Sequence, residues 1–269
     1  MTGETLRNAI LNGEKVYGTL AVSGSPHFFA AIRNLPIDFI FIDMEHITYN
    51  VETLSWMCHA YRAANIAPIV RILSPDPYLA SRALDCGAQG ILAPYVEQVE
   101  DVVNLVGAVK YKPIKGKKLK QILQNRSSIP PKLKARLDEM NKDHVLFINI
   151  ESPTGIDHLD AFLSIEGLDG VIIGPHDLSF SHEIPEEYTT EAYNRLIARI
   201  IEKTRSHGLG AGCHSGFSHS LKLQKTWVEL GANIVLHGSD VTFFQEKAMD
   251  DIAELRGMAK TDKGPDLSI

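Results

Sequence analysis

A closed (β/α)₈ barrel is the fold class this sequence predicts. Short apolar runs rich in β-branched residues recur eight times, and each is followed by a turn signal and a helical pattern. Eight such units within about 250 residues fit one barrel. The runs are apolar on both faces, as in parallel strands covered by helices on each side. No G-x-G-x-x-G follows the first strand, which argues against an open dinucleotide-binding sheet.

Val16–Val22 reads as the first strand, and Ser25-Pro26 then caps a helix with proline at its first position. Asp38–Asp43 is the second, and Asn50 caps a helix running through Ala64. Pro68–Leu73 is the third; Asp76-Pro77 opens its helix, which closes at Gly87. Gly90–Val96 is the fourth, with a helix from about Gln98 to Val109. Val145–Glu151, Gly170–Gly174, the glycine-rich Gly210–Gly212 and Asn233–Leu236 supply strands five to eight. One domain over residues 1–269 is expected. Two segments fall outside the repeat: a basic insertion at about 111–136 and a tail at about 258–269, expected to fray or dock on a neighbour.

The 269 residues carry a net charge of −6, which argues against a general nucleic-acid binder. Lys110–Arg136 holds ten Lys or Arg and no acid, so the rest of the chain is strongly acidic. A lid drawing in an anionic substrate is one reading of this stretch; a solvated excursion or a contact between copies is another. An RNA patch ranks third, because aromatic residues beyond Tyr111 are missing. Cys58, Cys86 and Cys213 are odd in number and lack C-x-x-C spacing, as expected in a reducing compartment. No signal region or apolar membrane span is legible, so a cytoplasmic protein is expected.

Barrel active sites lie at the C-terminal ends of the strands. Strand two ends in Asp43, Glu45 and His46, and strand three carries Arg71 near its end. Strand five ends with Asn149 and Glu151, and strand six with His176 and Asp177. Glu151 and Asp177 on adjacent strands suit a hard divalent ion with open positions for substrate oxygens. Arg71 offers a fixed cation for an oxyanion, and His46 a general base near neutrality. Each residue alone fits a cap, an ion pair or a solvated histidine; their co-occurrence at one barrel end carries the reading. His176, His214 and His237 lack zinc-site spacing and read as core or solvated histidines. No lysine stands at these strand ends to form a Schiff base.

With these residues in place, the chain resembles the HpcH/HpaI aldolase/citrate lyase family. The matching words are D-F-I-F-I-D-M-E-H at 38–46, P-I-V-R at 68–71 and L-D-C-G-A-Q at 84–89, then N-I-E-S at 149–152, E-G-L-D-G-V-I-I-G-P-H-D-L-S at 166–179 and E-L-G-A-N at 229–233. The resemblance implies a TIM barrel of the phosphoenolpyruvate/pyruvate type that cleaves 4-hydroxy-2-oxo acids to pyruvate and an aldehyde. It implies Glu151 and Asp177 as ligands of Mg²⁺ or Mn²⁺, with Co²⁺ a further candidate, and His46 as base. Arg71 would stabilise the enolate oxygen, while Asn149 and His176 would contact substrate. Asp85 would raise the basicity of the histidine, its own or a neighbour's, with Asp43 as the local alternative and Glu45 as support. A homo-oligomer is implied, dimer-based and up to a hexamer. Met44, Asn149 and His176 depart from the family words, with Met44 expected to put bulk near the base. A CoA-thioester lyase of the citrate lyase β-subunit type and a catalytically silent oxo-acid binder remain as alternatives.

Overall fold

The computed structural model describes residues 1–215 and 220–257; the expected tail at 258–269 lies outside them. Eight parallel strands close into a barrel in sequence order: β1 (Val16–Ala21), β2 (Phe39–Asp43), β3 (Ala67–Arg71), β4 (Gly90–Ala93), β5 (Val145–Ile150), β6 (Gly170–Ile173), β7 (Gly210–Ser215) and β8 (Ile234–Ser239). β7 and β8 outrun the apolar pattern because their last residues are polar or glycine. They pair all the same, His214 opposite Leu236 and Ser215 opposite His237.

Period-two alternation sorts each strand into two cores. Inward residues such as Phe39, Phe41, Ile69, Leu92, Phe147, Ile172 and Leu236 fill the barrel. Outward residues such as Ile40, Ile42, Val70, Ile148 and Ile173 pack beneath the helices. Those helices start where the sequence signals place them. Ser25 accepts from His27 N–H to open α2 (Pro26–Ile32), and Asn50 accepts from Thr53 N–H at 2.7 Å to open α3 (Val51–Ala63). Asp76 accepts from the Tyr78 and Leu79 amides to open α4 (Pro77–Asp85). Among the described residues, no helix is long and apolar enough to cross a membrane.

The strand–helix repeat does not announce the first helix, α1 (Gly3–Leu11). It closes the floor of the barrel with fully buried Leu6 and Ile10, each stabilising the fold by about 1.5–3 kcal/mol. Gly210 makes room for it, because a β-carbon there would collide with Ile10.

The basic insertion also sits at the floor. After α5 (Val99–Lys110) it forms α6 (Gly116–Gln124), a 3₁₀ turn at Arg126–Ser128 and α7 (Pro131–Asn141). α5 runs back against the strands and delivers the chain to their N-terminal end, where β5 must begin. Lys110 bonds the carbonyl of His144 there, and Lys112 pairs with Asp85 at the end of α4. α6 packs apolar Leu119, Ile122 and Leu123 inward and shows Lys117, Lys118 and Lys120 to solvent. In this subunit the stretch is an excursion at the floor, and the lid reading does not hold.

Candidate active site

The expected strand-end charges converge at the C-terminal mouth. Asp43 and Arg71 are register partners on β2 and β3, and alternation turns both inward. Arg71 donates from Nε and Nη2 to the two oxygens of Asp43, at 2.9 and 2.6 Å. Both groups are buried, a geometry in which the bidentate pair fixes the guanidinium plane. Burial works against the charge on Asp43, but the Arg71 bonds outweigh it and hold the carboxyl below its usual range. Asp43 Oδ1 also accepts from Glu45 N–H at 2.9 Å, which shapes the turn after β2. Asp43 is thus a support for Arg71.

Glu45 lies between Arg71 and His46, 3.2 Å from Arg71 Nε and 3.7 Å from His46 Nε2. Its partial burial pushes its pKa up, with Arg71 and His46 opposing that shift. The His46 ring is exposed to the mouth, its side chain 42% accessible. Met44, by contrast, points outward and packs against the layer beneath the helices, so its bulk is not directed at His46.

Glu151 follows β5 and is buried, with its carboxylate split between two situations. Oε2 accepts from Tyr95 N–H at 2.9 Å, while buried Oε1 has no hydrogen-bond partner and lies 4.0 Å from Arg71 Nη1. Burial pushes its pKa up to about 8; Arg71 opposes the shift and Asp177 adds to it. Gly174, after β6, is the cradle: a β-carbon there would overlap Glu151 Oε1. Asp177 stands in the first turn of the helix Pro175–Ser181, partly buried and close enough to raise the pKa of both Glu45 and Glu151. Asn149 points inward and donates to the Ile172 carbonyl at 2.9 Å, leaving its own buried oxygen unpartnered.

An orphaned carboxylate oxygen beside further carboxylates, with no cation bonded to it, is what a divalent ion would complete. Among the described residues no cluster of three or more His, Cys, Asp or Glu forms a ready-made cage. The carboxylates of Glu151 and Asp177 are the candidate donors, and such a pair suits a hard ion that keeps open coordination positions.

Two expected residues are not brought to this cluster. Asp85 is 70% exposed at the C-terminal end of α4 and pairs with Lys112 at the floor, far from His46 of its own subunit. His176 is on the rim, 3.4 Å from Tyr188 Oη, 3.9 Å from Glu186 Oε1 and tilted against Phe180 with centroids 4.7 Å apart. Sequence reasoning missed Tyr95 and Gly174. Tyr95 has φ +45°, a conformation costing a side chain about 1–3 kcal/mol, and in it the amide meets Glu151.

Comparison with known proteins points to one family. The model of the HpcH/HpaI aldolase/citrate lyase family matches residues 20–246. A hydroxypyruvate/pyruvate aldolase of Roseovarius nubinhibens is 28% identical, over 94% of this chain and 96% of its own length. A 2-keto-3-deoxy-L-rhamnonate aldolase of Klebsiella pneumoniae is 29% identical, over 91% and 90% respectively. Among solved structures, the citrate synthase SbnG superposes with a TM-score of 0.78 at 28% identity, covering 94% of this chain and 97% of that one.

Proposed function

This chain belongs to the HpcH/HpaI aldolase/citrate lyase family, and from that premise we propose that it is a divalent-metal-dependent aldolase. It cleaves a 4-hydroxy-2-oxo acid to pyruvate, or a close pyruvate analogue, and an aldehyde. The observation that carries this reading is the orphaned Glu151 Oε1 in its Gly174 cradle, beside Asp177 and an Arg71 locked by Asp43. The names of its relatives favour aldol cleavage over thioester chemistry.

Glu151 and Asp177 would hold Mg²⁺ or Mn²⁺, whose Lewis acidity polarises the 2-oxo carbonyl. His46 takes the proton of the 4-hydroxyl, and as the C3–C4 bond breaks its electron pair passes into the 2-oxo acid fragment as an enolate. Arg71 faces the charge that develops on the enolate oxygen, pre-oriented by Asp43 so that nothing need reorganise during the step. The aldehyde departs, and His46 returns its proton to C3, which completes pyruvate. Asn149, held by the Ile172 carbonyl, turns its free oxygen to substrate. His176 would contribute from the rim.

Glu45 is the acid beside His46 within the subunit. Asp85 would serve a mouth only in an oligomer that carries it to another copy, and the exposed Phe244, Ile252 and Leu255 on the last described helix, Asp240–Leu255, favour such assembly. The three cysteines are buried and unpaired, in keeping with a cytoplasmic protein.

The test is exchange of the pyruvate methyl protons in D₂O, followed by NMR with Mg²⁺ or Mn²⁺ and then with EDTA. Metal-dependent exchange, slowed about a hundredfold or more in His46→Ala, is expected. Absence of exchange with every divalent ion, in a folded protein, would overturn the reading.

A further inference from the structure

Among the described residues, the mouth holds an inward polar side chain to which the mechanism above gives no task. The inward positions of β7 are Gly210, Gly212 and His214. At the two lower levels neighbours fill the space, since a β-carbon on Gly210 would strike Ile10 and one on Gly212 would strike Ile234. His214 is therefore the first side chain that β7 sends into the barrel, at the level of Phe41. Its ring meets Phe41 edge-on, with centroids 5.3 Å apart. The Arg71 guanidinium carbon lies 5.6 Å from the centre of that same ring. One aromatic ring thus carries both Arg71 and His214, which puts His214 in the chamber of the proposed chemistry.

His214 Nε2 is buried and has no hydrogen-bond partner among the described residues. Burial, with Arg71 adding to it, lowers the pKa to about 4, so the ring is a neutral donor and acceptor near pH 7. A purely apolar chamber wall needs no such group. A buried polar atom left unsatisfied typically costs a factor of about 10 to 100 in an equilibrium, which a matching ligand atom would recover. The other orphans of the mouth, on Glu45, Asn149 and Glu151, are carboxyl or amide oxygens; His214 differs in offering a ring nitrogen that donates to or accepts from a hydroxyl according to its tautomer.

We infer that His214 is a specificity-determining residue whose Nε2 hydrogen-bonds a hydroxyl on the substrate carbon chain. The site therefore prefers hydroxylated substrates to their deoxy counterparts. This inference rests on the aldolase reading and narrows its substrate class. The hydroxyl has two sources, C3 of the oxo acid as in hydroxypyruvate, or the aldehyde half as in glycolaldehyde.

The experiment compares kcat/KM in matched pairs with Mg²⁺ present. Hydroxypyruvate is set against pyruvate with one aldehyde, and glycolaldehyde against acetaldehyde with pyruvate. The wild type should favour the hydroxylated member of one pair by about tenfold to a hundredfold. His214→Leu should erase that ratio and His214→Gln should restore part of it; the pair affected identifies the source. Ratios equal in wild type and His214→Leu would overturn the inference. A wild type without turnover or exchange would sink the aldolase reading instead. The His214 contact is then decided by long-range ¹H–¹⁵N spectra of its imidazole. Shifts with hydroxypyruvate or glycolaldehyde, but not with pyruvate or acetaldehyde, uphold it; the lack of a selective shift overturns it. The same spectra decide the matter if His214→Leu does not fold.

Discussion

Asp169 at the floor and Glu151 at the mouth are both buried carboxylates flanked by cations, and they are completed differently. Asp169 Oδ1 accepts from Arg7 Nε at 2.6 Å, and Oδ2 accepts from Lys110 and from Leu146 N–H at 2.8 Å. Those bonds tie α1 and α5 to the start of β5 and the turn before β6. Glu151 accepts a single backbone bond, and its other oxygen faces Arg71 from 4.0 Å. Burial and charge alone do not separate a structural acid from a functional one. The separation lies in whether the protein satisfies the carboxylate by itself.

Several substitutions could break this comparison, and the largest expected effect is at the mouth. Glu151→Ala or Asp177→Ala should lower metal-dependent turnover by at least about a thousandfold, with little loss in melting temperature. Unchanged turnover in steady-state assays would make Glu151 another Asp169. At the floor the pattern should invert. Asp169→Ala strands Arg7 and the buried Lys110, and should cost about 3–5 kcal/mol in urea unfolding. The folded fraction should keep its proton-exchange activity. A stable Asp169→Ala protein would show that the floor network does not hold the barrel closed.

The smallest effect is a pH dependence of the Glu151 carboxyl. Its folded pKa, about 8, lies above the unfolded value. In the metal-free protein its contribution to stability is therefore full in acid and lost as pH rises through about 8. A proton held up to that pH also competes with a cation, so Mn²⁺ affinity should tighten by about tenfold per pH unit below 8 and level off above. Affinity flat between pH 6 and 8, in titrations followed by electron paramagnetic resonance, would place the metal elsewhere.

Much of the mouth is legible in the sequence because strand alternation and parallel packing are strict. An acid at an inward strand end, such as Asp43, has nowhere to go but the mouth. What escapes the sequence are features set by backbone geometry or by absent atoms. Tyr95 acts through its amide at a positive φ, and Gly174 acts by lacking a β-carbon. His214 reads as a core or solvated histidine in the sequence because it lacks metal-site spacing; only closure of the barrel brings it to Phe41. α1 precedes the repeat, and its role depends on a barrel floor that no local pattern encodes. The basic insertion was legible as an excursion, but its end of the barrel was fixed by the direction of α5.

The position of that excursion has a practical consequence. α6 carries solvent-facing lysines at the end of the barrel remote from the mouth. A subunit coupled to a resin through Lys117, Lys118 or Lys120 would stand on its floor with the mouth facing the mobile phase. A dye or a fused domain on the same helix has the full height of the barrel between itself and the mouth of its own subunit.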